Sequence, residues 1–440
     1  MSDPIWKKSG QQPVPEHIMQ FLAGDDVELD RELFVFDIRA SRAHARGLAR
    51  INVLSTEDAE ALVKSLDRLR AAFLSGEFVL DQRFEDGHSA IEHWLVDQLG
   101  ELGLRIHAGR SRNDQVAVAI RLYLKDRLET LAEQCAAIAD LCLERAEAEA
   151  MVPIPGHTHL QQAMPSSLGL WWAGHAEGFV DNLELTLAIH CWLNASPLGT
   201  ASGFGVNFPL DRDSVADALG FDRLVVNPQN AQAGRGKVEL RALDALSAAT
   251  SDLRRLCWDL SLFASQEFGY AQLGDVFCTG SSIMPNKHNP DSVELLRALH
   301  ATVVAARVEL ESILSLPSGY QRDLQDTKPP VLRAFRKALA GLALVPAMLS
   351  SVRWNTERMR EAIGPAMFAT DRANQRVAEG QSFREAYRAV ATEIAELGQP
   401  SADQSLADRV SPGACGQLML DRIRQRLTEA RASHPSLTQE

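Results

Sequence analysis

Between Thr279 and Pro290 the chain reads Thr-Gly-Ser-Ser-Ile-Met-Pro-Asn-Lys-His-Asn-Pro, which crowds Ser281, Ser282, Lys287 and Asn289 into one segment without helical or strand periodicity. Gly280 permits backbone angles closed to other residues, and Pro285 and Pro290 withhold two N–H groups from any ladder. A mobile loop bearing hydroxyls, an ammonium and an amide can abstract a carbon-bound proton beside a carboxylate. Lys287 and loop N–H groups would bind the carboxylate, and a serine would take the proton once nearby positive charge lowers its pKa. A polar surface loop is the plain alternative, but such loops seldom carry Met-Pro and Asn-Pro around a lone lysine.

Three further clusters suit the same chemistry. In Gly109-Arg110-Ser111-Arg112-Asn113-Asp114-Gln115, Arg112 can hold a carboxylate bidentately while Ser111 and Asn113 add neutral hydrogen bonds. Taken alone, this string also reads as an ordinary helix start capped by Ser or Asn. In Pro155-Gly156-His157-Thr158-His159-Leu160-Gln161, His159 is a candidate general acid with Thr158 beside it, although a lone histidine is more often structural. His88 and Glu92 at i, i+4 could begin a metal site, but no third ligand is evident.

These strings are similar to the signatures of a known family. The loop matches Gly-Ser-Ser-x-Met-Pro-x-Lys-x-Asn-Pro of the fumarase/aspartase superfamily, whose members make or break a C–N or C–O bond by β-elimination. Gly109–Gln115 resembles the stretch that separates argininosuccinate lyases from their relatives. Glu85-Asp86-Gly87-His88-Ser89 with Glu92, and Tyr320-Gln321-Arg322-Asp323-Leu324-Gln325-Asp326-Thr327-Lys328, are similar to two more of that family's motifs.

The resemblance, covering about Leu29 to Ala389, implies a homotetramer in which regions from three subunits build each site, with no cofactor and no metal. It implies Ser281 as the base, and Lys287 and Asn289 as stabilisers of the doubly charged aci-carboxylate. His159, oriented by Glu294, would help protonate the leaving nitrogen. Arg112, Asn113 and Ser282, with Lys287 and Asn289, suit the succinyl half, and Ser111, Thr158, Met284 and His88 fall on substrate-contacting positions. Tyr320 and Gln325 fall on positions for the carboxylate of the amine half, and Lys328 and Arg235 on further substrate-binding ones. A non-catalytic role, as the crystallins of this family adopt, is the alternative from another class. The joint presence of Ser281, Lys287, Asn289, His159 and Glu294 speaks against it.

The pattern breaks in three places. The expected Trp-Gly-Gly-Arg-Phe is Trp6-Lys7-Lys8-Ser9-Gly10, and His157 stands where the family carries tyrosine. A stretch normally rich in aspartate is Asn230-Ala231-Gln232-Ala233-Gly234-Arg235-Gly236, which keeps Arg235 and loses every acid. Loss of acids suits a leaving group other than guanidinium, so a paralogue acting on another N-succinyl amine or diamine adduct stays open beside argininosuccinate.

Long helices must carry these loops. Leu124, Leu128, Leu131, Cys135, Ile138 and Cys142 alternate at spacings of four and three, the seam of a long helix from about Gln115. Further long helices are predicted from about Ser167 to Leu193, from Val238 to Ala264, after Pro290, and between Pro330 and Ser351. Thr56–Glu60 opens a shorter one through Leu62, Leu66, Leu69 and Phe73, and Glu85–His88 starts another. The expectation is an all-α fold in three parts, a helical segment at 1–108, a long-helix bundle at 109–355 and shorter helices at 356–440. Surplus apolar stripes on the long helices imply burial against other subunits.

Composition agrees with that class. The 440 residues are 45% hydrophobic but only 6% aromatic, which favours helices over sheets. A net charge of −13 argues against nucleic acid or an anionic membrane as partner. A small anionic substrate stays possible because local Arg and Lys can invert the sign in a pocket. Six cysteines without CxxC spacing read as thiols in a reducing compartment. Met1–Lys8 lacks a signal-peptide core, and the apolar run from Ala338 to Leu349 falls far short of the ~20 residues that span a bilayer. A soluble cytoplasmic enzyme is the expectation.

Overall fold

The computed structural model describes residues 15–434 other than Gly24 and Gln399. The altered N-terminal motif at Trp6–Gly10 and the end of the polar tail after Arg431 lie outside the described residues. Most of the described residues are helical, and among them there are three two-stranded β pairs.

Ten elements position the site. They are α1 (Asp26–Arg50), α2 (Thr56–Ser75), α3 (Gly87–Leu99), α4 (Arg112–Ala148), β1 (Pro153–Thr158), β2 (Gln161–Ser167), α5 (Leu168–Leu193), α6 (Lys237–Phe263), α7 (Asp291–Ile313) and α8 (Lys328–Leu342). Helix α2 starts where its acids and apolar spacing place it. Ser55 accepts from the Asp58 N–H at 3.0 Å, and Gly76 closes the helix at φ +80°. The predicted seam of α4 is fully buried from Leu124 through Cys142. The fifth long helix is shorter than expected. Helix α8 ends at Leu342, and Val345–Ser350 restarts with Pro346 in its first turn, since proline cannot donate to the preceding turn.

Contacts divide the chain into two compact units. The first holds Met1–Glu129, Ala188–Asp244 and Val304–Arg336, and the second holds Thr130–Leu187, Ala245–Val303 and Lys337–Glu440. In the first unit Phe34, Ile38 and Leu48 of α1 pack with Leu62, Leu66 and Leu69 of α2 and with Ile91 and Leu95 of α3. Phe34 meets Phe73 edge-on, with ring centres 4.9 Å apart. In the second unit, helices of 13 residues or fewer follow Asn355, as the weakening periodicity predicts.

The six cysteines are unpaired, and Cys135, Cys142, Cys257 and Cys415 are buried. Burial pushes the Cys135, Cys142 and Cys257 thiols up to about 12, so they behave as apolar core groups. Among the described residues no helix is long and apolar enough to cross a membrane.

Candidate active site

Asp86 starts α3 with a capping box. It accepts from the Ser89 N–H at 2.7 Å, while Ser89 Oγ accepts from the Asp86 N–H at 3.0 Å. The N–H of Gly87 donates to Asp30 at 2.9 Å. A Cβ there would stand 3.3 Å from Asp30 Cβ and from the Phe34 ring, so the glycine permits α1 and the start of α3 to approach closely. This fixes Glu85 and Asp86 at the helix mouth, where Arg112 pairs with both, at 3.0 Å to Glu85 and 3.1 Å to Asp86.

Arg112 opens α4, and its segment forms the helix start that its Ser and Asn allow. Ser111 Oγ accepts from the Asn113 N–H at 3.3 Å as a helix cap, and the Ser111 N–H donates to Asp114 at 2.9 Å. Asp114 is fully buried and also accepts from the N–H groups of Gly199 and Ala201. Burial pushes its carboxyl up to about 6, against the pull of those N–H groups.

Arg112 and Asn113 line a cavity of about 210 Å³ together with Asp26, Asp30, Glu85, Asp86, Arg235, Tyr320, Arg322, Gln325 and Lys328. Lys328, at the start of α8, is buried and paired with Asp26 and Asp30, the latter at 2.9 Å. Burial alone would lower its ammonium, but Asp30 and Asp26 push it up to about 12. Gln325 donates to Asp26 and to the Leu22 carbonyl, and Arg322 reaches the same carbonyl at 2.7 Å. Arg235 donates to the Leu324 carbonyl at 3.3 Å and lies 4.0 Å from Glu239.

Four carboxylates therefore face this cavity, none from the acid-free stretch at 230–236. Sequence reading missed Asp26 and Asp30 as site residues because two acids at i, i+4 on a helix look like a solvated face. Their signal is a buried-lysine partner, visible only after folding.

His88 does not line the cavity. Its Nδ1 lies 2.5 Å from Asp37, and its side chain is 9% exposed. Burial disfavours the charged ring, but Asp37, helped by Asp86 and Asp30, outweighs it and raises the His88 pKa. Its partner is thus a carboxylate of α1, which Glu92 and metal spacing did not foretell.

The remaining site residues lie in the second unit. Strands β1 and β2 form an antiparallel hairpin that the prolines and absent Asn-Gly signal concealed. Gly156 is required by the register irregularity, since a Cβ would meet the Met164 carbonyl at 2.6 Å. At the tip, His159 and Leu160 take φ of +55° and +58°, left-handed values that a two-residue turn demands. Thr158 and His159 are thereby held exposed. His157, in place of the expected tyrosine, keeps an aromatic contact, edge-on to Phe268 with ring centres 5.5 Å apart.

The serine loop is closed at its base by paired hydrogen bonds between Thr279 and Asn289, at 3.0 and 2.8 Å. Thr279 also donates to Asp291 at the start of α7. Gly280 does not use the left-handed region that its choice suggested, and a Cβ there would meet only the Lys287 carbonyl at 4.0 Å. Within the loop, Ser281 Oγ accepts from the N–H groups of Ile283 at 3.3 Å and Met284 at 3.1 Å. Ser282, Met284 and Lys287 are exposed, Asn289 is half-buried, and Glu294 stands exposed on the first turn of α7.

A sequence model for a lyase family matches residues 11–305. The argininosuccinate lyase of Stenotrophomonas maltophilia strain R551-3 is 52% identical to this chain over 427 residues, covering 97% of the chain and 99% of the relative. That of Xanthomonas axonopodis pv. citri strain 306 is 52% identical over 434 residues, covering 98% and 100%. Among solved structures, an EDDS lyase in complex with formate superposes with a TM-score of 0.80 at 24% identity, over 97% of this chain and 93% of the other. At that identity the likeness shows the fold alone.

Proposed function

The chain belongs to the argininosuccinate lyase family, and from that premise we propose that it is a carbon–nitrogen lyase cleaving argininosuccinate to arginine and fumarate. Ser281 takes the proton from the succinyl carbon adjacent to the one bearing nitrogen. The electrons of that C–H bond first load the neighbouring carboxylate as an aci-dianion, which Lys287 and Asn289 stabilise. They then form the C=C bond of fumarate as the C–N bond breaks, and the nitrogen leaves with its electron pair and receives a proton from His159. Glu294 orients that histidine. Arg112, Ser111, Asn113, Thr158, Ser282 and Met284 hold the succinyl carboxylates, and His88, paired with Asp37, acts on Asp86 through its charge.

The observation that carries the base assignment is the double backbone donation to Ser281 Oγ. Two N–H groups aimed at an oxygen favour its alkoxide over its hydroxyl, as an oxyanion hole does. On the amine side the cavity sets four carboxylates, Asp26, Asp30, Glu85 and Asp86, against four cations, Arg112, Arg235, Arg322 and Lys328, so its charge is balanced. It is the 52% identity to argininosuccinate lyases that supports this substrate. Tyr320 and Gln325, with Lys328 and Arg235, serve the amino-acid carboxylate of that half.

We also infer a cytoplasmic homotetramer with shared sites, in which the segments 1–108, 109–355 and 356–440 act as three domains. Apolar side chains left exposed on long helices support it, Leu295 at 70% and Val308 at 57%.

Fumarate release from argininosuccinate, beside a panel of other N-succinyl amines, tests the reaction. A kcat/KM of at least ~10⁴ M⁻¹s⁻¹ for argininosuccinate is expected. A panel member turned over far faster than argininosuccinate would move the substrate elsewhere. Co-refolding inactive Ser281→Ala and His159→Asn proteins tests shared sites. Partial recovery of activity is expected, and none from verified mixed tetramers would refute them.

A further inference from the structure

The acid-free stretch from Asn227 to Val238 also borders a second cavity of the first unit, of about 160 Å³. Its lining carries Arg121 of α4, Arg223 and Lys237 as cations, with Asn230, Gly234 and the Trp192 ring between them, and no carboxylate. Among the described residues none of the three cations forms an ion pair. Each is instead aimed by uncharged partners. Arg121, 8% exposed, donates through Nη1 to the carbonyls of Ala195 at 2.8 Å and Leu193 at 3.3 Å. Arg223 Nη2 donates to the Trp192 carbonyl at 2.8 Å, and Lys237 Nζ lies 5.8 Å from the Trp192 ring centre.

Gly234 keeps this space open. A Cβ there would stand 3.6 Å from Arg121 Nη2, so a longer side chain would press on the cation. The one acid that shares the Arg121 field is Glu239, which is buried on the first turn of α6, also faces Arg235 and does not line the cavity. Three positive groups line this recess, Arg121 buried and Arg223 and Lys237 exposed, and with one carboxylate behind Arg121 they leave unbalanced positive charge at its mouth. A dianion relieves that imbalance better than water does. Two guanidiniums and an ammonium match an oxygen-rich tetrahedral group, each fork offering parallel N–H donors.

We propose that this cavity binds a small oxyanion of the phosphate class, through Arg121, Arg223 and Lys237, apart from the cavity lined by Arg112 and Lys328. The site exists in this chain because residues 230 and 234 are Asn and Gly. A carboxylate at either position would neutralise it internally.

Inorganic phosphate titrated into the full-length protein at constant ionic strength, followed by calorimetry, tests this. Saturable binding is expected, weakened at least tenfold in the Arg223→Ala/Lys237→Ala protein while kcat and KM for fumarate release stay unchanged. Asn230→Asp, which adds a carboxylate and leaves the cations in place, should weaken binding to a similar degree. A parallel titration with AMP separates two sources of the same group. Equal affinity assigns the site to the free ion, and tighter AMP binding assigns it to the phosphoryl group of a larger molecule beside Trp192. Absence of saturable phosphate binding, or equal binding by wild type and both variants, would overturn the proposal.

Discussion

In the first unit Lys328 and Arg112 are paired with Asp26, Asp30, Glu85 and Asp86, and Arg235 with the Leu324 carbonyl. In the second, Ser281, Lys287 and His159 are displayed on a loop and a turn tip whose backbones do the positioning. The first arrangement resists change, since a buried charge stripped of its partner is costly. The second leaves side chains free to meet a substrate, and its cost is carried in backbone geometry. The contrast separates residues whose loss unfolds the protein from residues whose loss silences it.

The largest effect belongs to the loop. Replacing Ser281 by Ala removes the proposed base and should lower kcat by about 10²–10⁴-fold, with KM and melting temperature little changed. Steady-state kinetics beside a thermal melt would decide it. Near-normal turnover would pass the role to Ser282 and dissolve the contrast at its catalytic end.

Next comes the buried lysine. Lys328→Met leaves Asp26 and Asp30 without their cation, and a loss of about 3–5 kcal/mol is expected in urea unfolding. A variant of unchanged stability and raised KM would instead make Lys328 a substrate ligand first and a structural cation second.

The same network should answer to pH through His88. Its pKa is raised because Asp37, with Asp86 and Asp30, outweighs the burial that opposes its charge. The histidine's contribution is therefore complete below the unfolded value of about 6.5 and is lost as pH rises through the higher folded value. Wild type should lose more stability than His88→Gln between neutral and mildly alkaline pH, seen as converging denaturation midpoints. Parallel curves would mean that the ring is neutral throughout.

How much of this was legible in the sequence depends on the kind of signal. Seams such as Leu124 to Cys142 announce long helices because burial repeats at helical period, and α4, α5, α6 and α7 lie close to where that period places them. The fold class followed from these alone. The loop at 279–290 could be read from residue types, though Gly280 proved not to need its conformational freedom. What stayed hidden was tertiary. Asp26, Asp30 and Asp37 acquire meaning only when α1 packs against α3 and the start of α8. The lost acids at 230–236 pointed away from a guanidinium, whereas relatives 52% identical are argininosuccinate lyases. The cavity beside Arg112 takes four acids and four cations from several elements, so that stretch alone does not set its charge.

The hairpin carrying His159 was also hidden, and it offers the smallest and most exposed test of the contrast. Leu160 is 71% exposed and follows His159 at φ +58°, so nothing in its packing explains a leucine where glycine would sit without strain. The left-handed conformation costs an ordinary residue about 1–2 kcal/mol, whereas glycine adds about 0.5–1 kcal/mol of chain entropy to lose on folding. Leu160→Gly should therefore be neutral or stabilising by up to roughly 1 kcal/mol. If the stiffness of the tip is what aims His159, kcat should fall a few-fold in the same protein while KM holds. A rise in stability with lower turnover would tie the backbone strain to positioning of the proposed acid, His159. A clear loss of stability would show instead that Leu160 makes a contact that its exposure conceals, and the strain would then have no catalytic meaning.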